Sequence, residues 1–224
     1  MLNLKLKVQL FIPILLATLA CGFVDTTVPT ADVDDALVFN TPVGASDPGP
    51  LINGNAYAVT FSAEPGDYVS LATMFVESND WIIGTPDWGI ELYNDTTPRT
   101  GDVTGQLYVL DVGTEADEPV GEGENQAPRQ AEPNTGDADP ISQVRFISSV
   151  EAYISANLSY NNDGTFTLTI NNISDLTPLA PGVASVHRTP SPLYAIGQAD
   201  RGLGLGALAE DGNPAILVEN LQSE

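Results

Sequence analysis

The residues best able to do chemistry in this chain are acids at the ends of apolar runs. Glu77-Ser-Asn-Asp80-Trp81 follows VSLATMFV, and Asp111-Val-Gly113-Thr-Glu115-Ala-Asp117-Glu118 follows QLYVL. Both runs read as β-strands, so the acids fall where strands give way to loops. Carboxylates gathered there repel one another, and a hard cation relieves the repulsion. Calcium fits that chemistry because it takes about six to eight oxygens from a flexible shell. The candidate metal ligands among these acids are Asp80, Asp111, Glu77 and Glu115, with Gly113 permitting a tight path between Asp111 and Glu115. Asp117 ranks behind these four. The competing reading is that these acids are solvated surface or turn caps in a chain with 30 Asp and Glu. The other acids of 113–139 are expected to serve solubility, and no DxDxDG loop of the EF-hand kind is present.

Other chemistries have less to work with. His187 is the only histidine, which excludes a zinc site built from several histidines. It is expected to be a polar or packing residue, since no nucleophile-elbow pentapeptide accompanies it. Gly202-Leu-Gly204-Leu-Gly206 lacks the preceding strand of a phosphate cradle and reads as a turn into a helix. Paired acids also suit glycoside hydrolysis, although no aromatic-lined cleft can be inferred from the pattern. The sequons at Asn94, Asn157 and Asn172 matter only in a glycosylating host.

The formal net charge is -23, and both lysines, Lys5 and Lys7, lie in the first ten residues. Beyond them, Arg99, Arg129, Arg145, Arg188 and Arg201 are the only basic side chains apart from His187. A field of that sign repels nucleic acid and anionic lipid and favours solubility and cation accumulation. It also suits a saline medium, where screening relieves self-repulsion.

Residues 1–21 read as an export signal. Lys5 and Lys7 form its basic end, and LFIPILLATLA is an apolar stretch too short for a stop-transfer helix. Cys21, the only cysteine, falls where a cleavage product would begin, as at a bacterial lipoprotein processing site, although Thr18 is an imperfect match to that pattern. Lipidation at Cys21 and simple secretion after Ala20 both follow from this reading. A lone cysteine excludes an intramolecular disulfide. Residues 22–36 are polar, are punctuated by Pro29 and read as a linker; the rest, 37–224, is long enough for one substantial core.

To position acids at strand ends the chain needs a sheet framework, and period-two alternation supplies one. AVTFSA (58–63), YVSLATMFV (68–76), QLYVLDV (106–112), VRFISSV (144–150), AYISANLSY (152–160) and TFTLTIN (165–171) read as strands. Pro65-Gly66-Asp67 and Asn161-Asn-Asp-Gly164 are reversal signals, and the second predicts a hairpin between 152–160 and 165–171. Residues 113–143 form a long loop with few large apolar residues, of the kind that is functional or mobile. LGLGALAE (203–210) and PAILVENL (214–221) have helical spacing, with Gly212 ending the first helix, Asn213 capping the second and Pro214 in its first turn. The expected architecture is mainly β: an antiparallel β-sandwich with short peripheral C-terminal helices.

Several stretches resemble the spondin domain family, the amino-terminal module of F-spondin-like matrix proteins that also occurs in bacterial exported proteins. LATMFVESNDWIIG (71–84) is similar to the family's strand followed by Ser-Pro-Asp-Trp-Phe-Val-Gly, and LDVGTEADEP (110–119) to its Asp-Ala-Gly-Thr-Asp-Ser-Gly segment. DPISQVRFI (139–147) resembles the strand that closes the module. TFTLTINNIS (165–174), LTPLAPGVASVH (176–187) and SPLYAIGQADRGLGLGALAEDGNPAILVENL (191–221) resemble its opening. The order is reversed here: pieces of the family's latter half come first. A circularly permuted single domain, the end of one module joined to the start of another, and incomplete modules pairing between chains all fit that order. The resemblance implies a C2-like sandwich carrying Ca2+ at one end. Asp80 matches the acid before the family's Trp, and Asp111 and Glu115 match the acids around its Gly-Thr.

Three functional classes follow. The first is an exported, non-catalytic, calcium-stabilised module for adhesion or extracellular matrix contact, with an extracellular protein or glycan partner. The second is a hydrolase of extracellular polysaccharide using paired carboxylates. The third is a purely structural surface lipoprotein.

Overall fold

The computed structural model describes residues 33–133 and 135–223, so Cys21, the export signal and most of the expected linker lie outside the described residues. In chain order the strands are β1 (Val33–Phe39), β2 (Ala56–Ser62), β3 (Tyr68–Phe75), β4 (Trp81–Gly84), β5 (Ile90–Glu91), β6 (Tyr93–Asn94), β7 (Thr97–Pro98), β8 (Gly101–Asp102), β9 (Tyr108–Asp111), β10 (Arg145–Ser149), β11 (Ile154–Tyr160), β12 (Thr165–Asn172) and β13 (Leu179–His187). Two helices follow, α1 (Leu205–Asp211) and α2 (Ala215–Leu221).

The strands build an antiparallel β-sandwich. The larger sheet runs β1-β13-β3-β4-β9-β10 with β5 beside β3, the smaller runs β2-β12-β11-β8, and β6 pairs with β7 apart from both. The alternating strands lie in the smaller sheet: β2 and β12 bury every second residue, as a sheet with one wet face must. Tyr57, Phe61, Phe166, Leu168 and Leu158 of that sheet meet Leu71, Phe75, Ile83, Val109 and Val186 of the larger one, and this interface is the main core.

The larger sheet is covered on its other face too. Leu205, Leu208 and Ala209 of α1 and Leu217 and Leu221 of α2 pack on Ala72, Ile82, Leu110 and Val183. That second layer explains why β3 and β13 are buried along almost their whole length. Close approach is built in at Gly84, where any side chain would strike the Tyr194 hydroxyl, which donates to the Thr85 carbonyl at 2.7 Å.

The hairpin at Asn161–Gly164 forms as its sequence predicts, joining β11 and β12 in continuous register. Asn162 and Gly164 take the positive φ values, 64° and 86°, that this turn requires. The Pro65-Gly66-Asp67 turn does something different: it carries the chain from β2 in one sheet to β3 in the other. Gly212 ends α1 in the left-handed conformation. Pro214 caps α2 rather than sitting in its first turn, and the Asn213 side chain accepts from the Ala215 amide at 3.1 Å.

Seven strands are additional to the six that the sequence predicts: β1, the short β4 to β8, and β13. β1 begins at Val33, inside the segment expected to be linker, because it adds to the sheet edge beside β13 from Val33 to Phe39. β13 is a nine-residue strand between β1 and β3. Strands from both halves of the chain therefore interleave in a single sandwich.

Candidate metal centre

One end of the larger sheet gathers the acids. There β3 stops at Phe75, β4 starts at Trp81, β9 stops at Asp111 and β10 starts at Arg145. Registry places Trp81, Asp111 and Arg145 side by side across β4, β9 and β10. Asp80 precedes this row in a tight turn held by the Ser78 hydroxyl, which donates to the Phe75 carbonyl at 2.6 Å and accepts from the Trp81 amide at 3.0 Å.

Asp80 is wholly buried. Its Oδ2 accepts from the Thr114 amide at 2.6 Å, the Thr114 hydroxyl at 3.0 Å and the Glu115 amide at 3.1 Å. Its Oδ1 is buried with no hydrogen-bond partner. Asp111 is equally buried; its Oδ1 accepts from the Gly113 amide at 2.6 Å and its Oδ2 lies against Arg145 Nη2. Asp117 is exposed and accepts from the Trp81 indole N–H at 2.6 Å. One carboxylate oxygen from each of Asp80, Asp111 and Asp117 falls within 4.8 Å of the others.

Gly113 makes the geometry possible. It sits at φ 76°, and a Cβ there would lie 2.5 Å from the Gln143 backbone nitrogen. Only glycine allows the chain to turn back after Asp111 and present the Thr114 and Glu115 amides to Asp80.

The electrostatics of this end are strained. Burial pushes Asp111 up to about 8, helped by the charges of Asp80 and Asp117 and opposed by Arg145. Burial also raises Asp80, against the hydrogen bonds from Glu115 and Thr114. Among the described residues Arg145 is the basic group that meets the cluster's acids, with Nη2 2.5 Å from Asp139 and 3.6 Å from Asp117. Burial works against the Asp139 carboxylate, yet the Ile141 amide and Arg145 hold it below the usual range. A guanidinium reaching Asp111, Asp117 and Asp139 leaves Asp80 Oδ1 without a positive partner. A buried carboxylate oxygen with no donor is costly and is rare in folded proteins. A hard, oxygen-seeking cation would meet it, and the all-oxygen donor set suits calcium.

The other expected ligands lie elsewhere. Glu77 points away, its Oε2 2.6 Å from Arg129 Nη1, so it belongs to an ion pair outside the cluster. Glu115 is buried, but its Oε1 accepts from the Gly136 amide at 3.0 Å, and it is not among the three acids whose oxygens converge. Asp117 takes that place, and its spacing from Asp111 gave no signal for it; its strand-end segment did. Asp139 and Glu210 were not expected at all.

The 113–143 segment is likewise more than a soluble loop. Glu115 and Asp139 are buried in it, and Gln126 is fully buried. Gln126 Oε1 accepts from the Gly121 and Gly123 amides, and Nε2 donates to Asn79 Oδ1 at 3.2 Å. The loop is thereby pinned to the turn that carries Asp80.

His187 lies in β13, with Nδ1 2.6 Å from the Thr189 carbonyl, so that nitrogen carries the proton. Nε2 then accepts from the Ser70 hydroxyl at 2.8 Å. Both residues are buried, and the partner that orients the ring is a carbonyl, not a carboxylate. Burial lowers the pKa of His187, in keeping with a neutral packing residue. Trp88 is half exposed and rests on Tyr68, ring centroids 5.4 Å apart, whereas Trp81 packs on Phe75. Comparison with known proteins finds no matching family model, curated protein or solved structure, so the site stands on its own geometry.

Proposed function

We propose that this chain is an exported, non-catalytic, calcium-stabilised module for adhesion or extracellular matrix contact, built on a spondin-like sandwich. The observation that carries the calcium reading is Asp80 Oδ1, fully buried and unpartnered beside the carboxylates of Asp111 and Asp117. Asp80 and Asp111 are also positions at which the sequence resembles the family's calcium end. The interleaving of early and late strands in one sandwich supports a permuted single domain over separate half-modules. Export, and a lipid anchor on Cys21, rest on the basic and apolar start of the chain. The partner is an extracellular protein or glycan.

The burial of the acids weighs against polysaccharide hydrolysis. A hydrolase needs its carboxylates at the floor of an open cleft, about 5–9.5 Å apart. Here Asp80 and Asp111 lie beneath the 113–143 loop, wholly out of solvent.

Thermal unfolding with calcium or chelator tests the site. At a calcium concentration about 100 times Kd, linkage stabilises by ~2.7 kcal/mol. For a chain of this size, ~2–4 °C per kcal/mol makes the midpoint shift roughly 5–10 °C. Asp80→Ala and Asp111→Ala lose the response. An unchanged melting curve at millimolar calcium would remove the basis of the proposal. Binding of the calcium-loaded and chelated protein to immobilised matrix protein and glycan then tests the adhesive role.

A further inference from the structure

Arg145 stands against the very oxygens that a cation would need. It heads β10, beside Asp111 in the register with β9. Its Nη2 lies against Asp111 Oδ2, and is 2.5 Å from Asp139 Oδ2 and 3.6 Å from Asp117 Oδ2. Two of the three acids whose oxygens converge are therefore within ion-pair reach of a single nitrogen.

The guanidinium is poorly seated for a permanent partner. A strong arginine–carboxylate pair uses the fork, two parallel N–H donors meeting two oxygens. Here all three acids face Nη2, while Nη1 is buried and, among the described residues, has no acceptor. Nη2 makes its hydrogen bond to Asp139, whereas Asp111 Oδ2 is buried against it without one. A donor and an acceptor left unmatched at the same buried contact each cost free energy. The side chain accordingly gives up little on leaving Asp111.

Asp139 offers the guanidinium a seat outside the converging three. Its Oδ1 accepts from the Ile141 amide at 2.7 Å, which fixes the carboxylate, and its Oδ2 takes the hydrogen bond from Arg145. The strand need not move for the side chain to swing. The Val144 amide donates to the Gln198 carbonyl and the Val144 carbonyl accepts from the Gly197 amide, both at 2.8 Å, so the backbone before Arg145 is pinned.

We infer that Arg145 is a built-in competitor for calcium: its guanidinium offsets the charges of Asp111 and Asp117 in the absence of the ion and is displaced onto Asp139 when the ion binds. The inference rests on the reading that Asp80, Asp111 and Asp117 hold calcium, and adds to it the residue that sets how much calcium the site requires. A guanidinium beside a carboxylate lowers the carboxylate's affinity for a proton by about 10- to 1,000-fold, and a metal cation meets the same opposition.

Isothermal titration of calcium chloride into the chelator-stripped, dialysed full chain tests this, beside Arg145→Gln and Arg145→Lys at one pH and ionic strength. Arg145→Gln is expected to bind calcium at least about tenfold tighter than the unaltered chain. Arg145→Lys, which keeps the charge, is expected to bind more weakly than Arg145→Gln. A residue that served only the fold would weaken calcium binding when replaced. Equal or weaker binding by Arg145→Gln therefore overturns the inference and leaves the calcium reading standing, and equal tightening in both variants overturns competition by charge. Binding by Arg145→Gln alone supports the inference, whereas no binding by any of the three chains removes it together with the calcium reading. A measurement on the unaltered chain covers variants that fail to fold. The Arg145 Nε–Hε resonance, assigned through its own backbone signals, is expected to shift as calcium is added. Calcium that binds without moving that resonance overturns the displacement.

Discussion

Asp80 divides its two oxygens between opposite fates, and this makes it an unusually informative residue to alter. Oδ2 has three donors, while Oδ1 has none. Asp80→Asn keeps an oxygen for the donors and turns an N–H2 toward the neighbouring acids. In chelator this variant is expected to melt a few degrees above the unaltered chain, since it removes a buried unpaired charge worth about 1–3 kcal/mol. In calcium it is expected to show no further rise. Stability lost equally in both conditions would mean that Asp80 serves only as an acceptor for the Thr114 and Glu115 amides. Gly113 gives a complementary outcome. Gly113→Ala combines a φ of 76° with a contact of 2.5 Å to the Gln143 backbone, and is expected to cost more than about 1 kcal/mol with or without calcium. Scanning calorimetry of both variants separates a residue needed for the cation from one needed for the chain path.

At the scale of elements, the 113–143 loop behaves as part of the framework because Gln126 ties it to the Asn79 turn. Gln126→Ala leaves the Gly123 amide without its partner and removes one of two partners from the Gly121 amide and from the Asn79 side-chain oxygen. The expected result is faster cutting within the loop by a Glu-specific protease, at Glu118, Glu122, Glu124 or Glu132, with the sandwich fragments remaining intact. Unchanged cleavage would show that the other loop contacts suffice. This loop also marks where sequence reading reached its limit. Its acids and glycines carry no periodicity, so nothing local distinguishes the buried Glu115 and Asp139 from their exposed neighbours. The alternating strands β2, β11 and β12 were legible because one face of their sheet is wet. β13 was not, since it lies between β1 and β3 with helices over the sheet, and burial on both faces erases alternation. The short helices were readable from spacing and from Gly212, but the burial of Glu210 on α1 depends on tertiary neighbours that spacing does not show. Asp80 and Asp111 were legible as strand-end acids; the departure of Glu77 to Arg129 depends on a loop folded across 52 residues of chain.

For the whole molecule, the buried acids dictate how stability follows pH. Asp111 is pushed up to about 8 and Glu210 to about 7, while unfolded carboxyls titrate near ~4. Between those limits the folded chain holds more protons than the unfolded one, so stability falls as pH rises. Their contribution is complete below the unfolded value and is lost as pH climbs through the folded ones. Two other sets of groups act in the opposite sense. The depressed carboxyls Asp139 and Glu118 lose their contribution only as pH falls below about 4. His187, held neutral by burial, costs stability when the unfolded imidazole gains a proton below about 6.5. Between about pH 6.5 and 8.5 the raised acids therefore act almost alone. In chelator the melting midpoint is expected to fall across that interval. Calcium bound beside Asp111 would replace the proton that its carboxylate gives up, and its binding would strengthen as the acids ionise. The gap between the calcium and chelator midpoints should consequently widen from pH 6.5 to 8.5 at constant ionic strength. A chelated protein that becomes more stable over the same interval would show that the fold itself satisfies these charges, leaving a cation no repulsion to relieve.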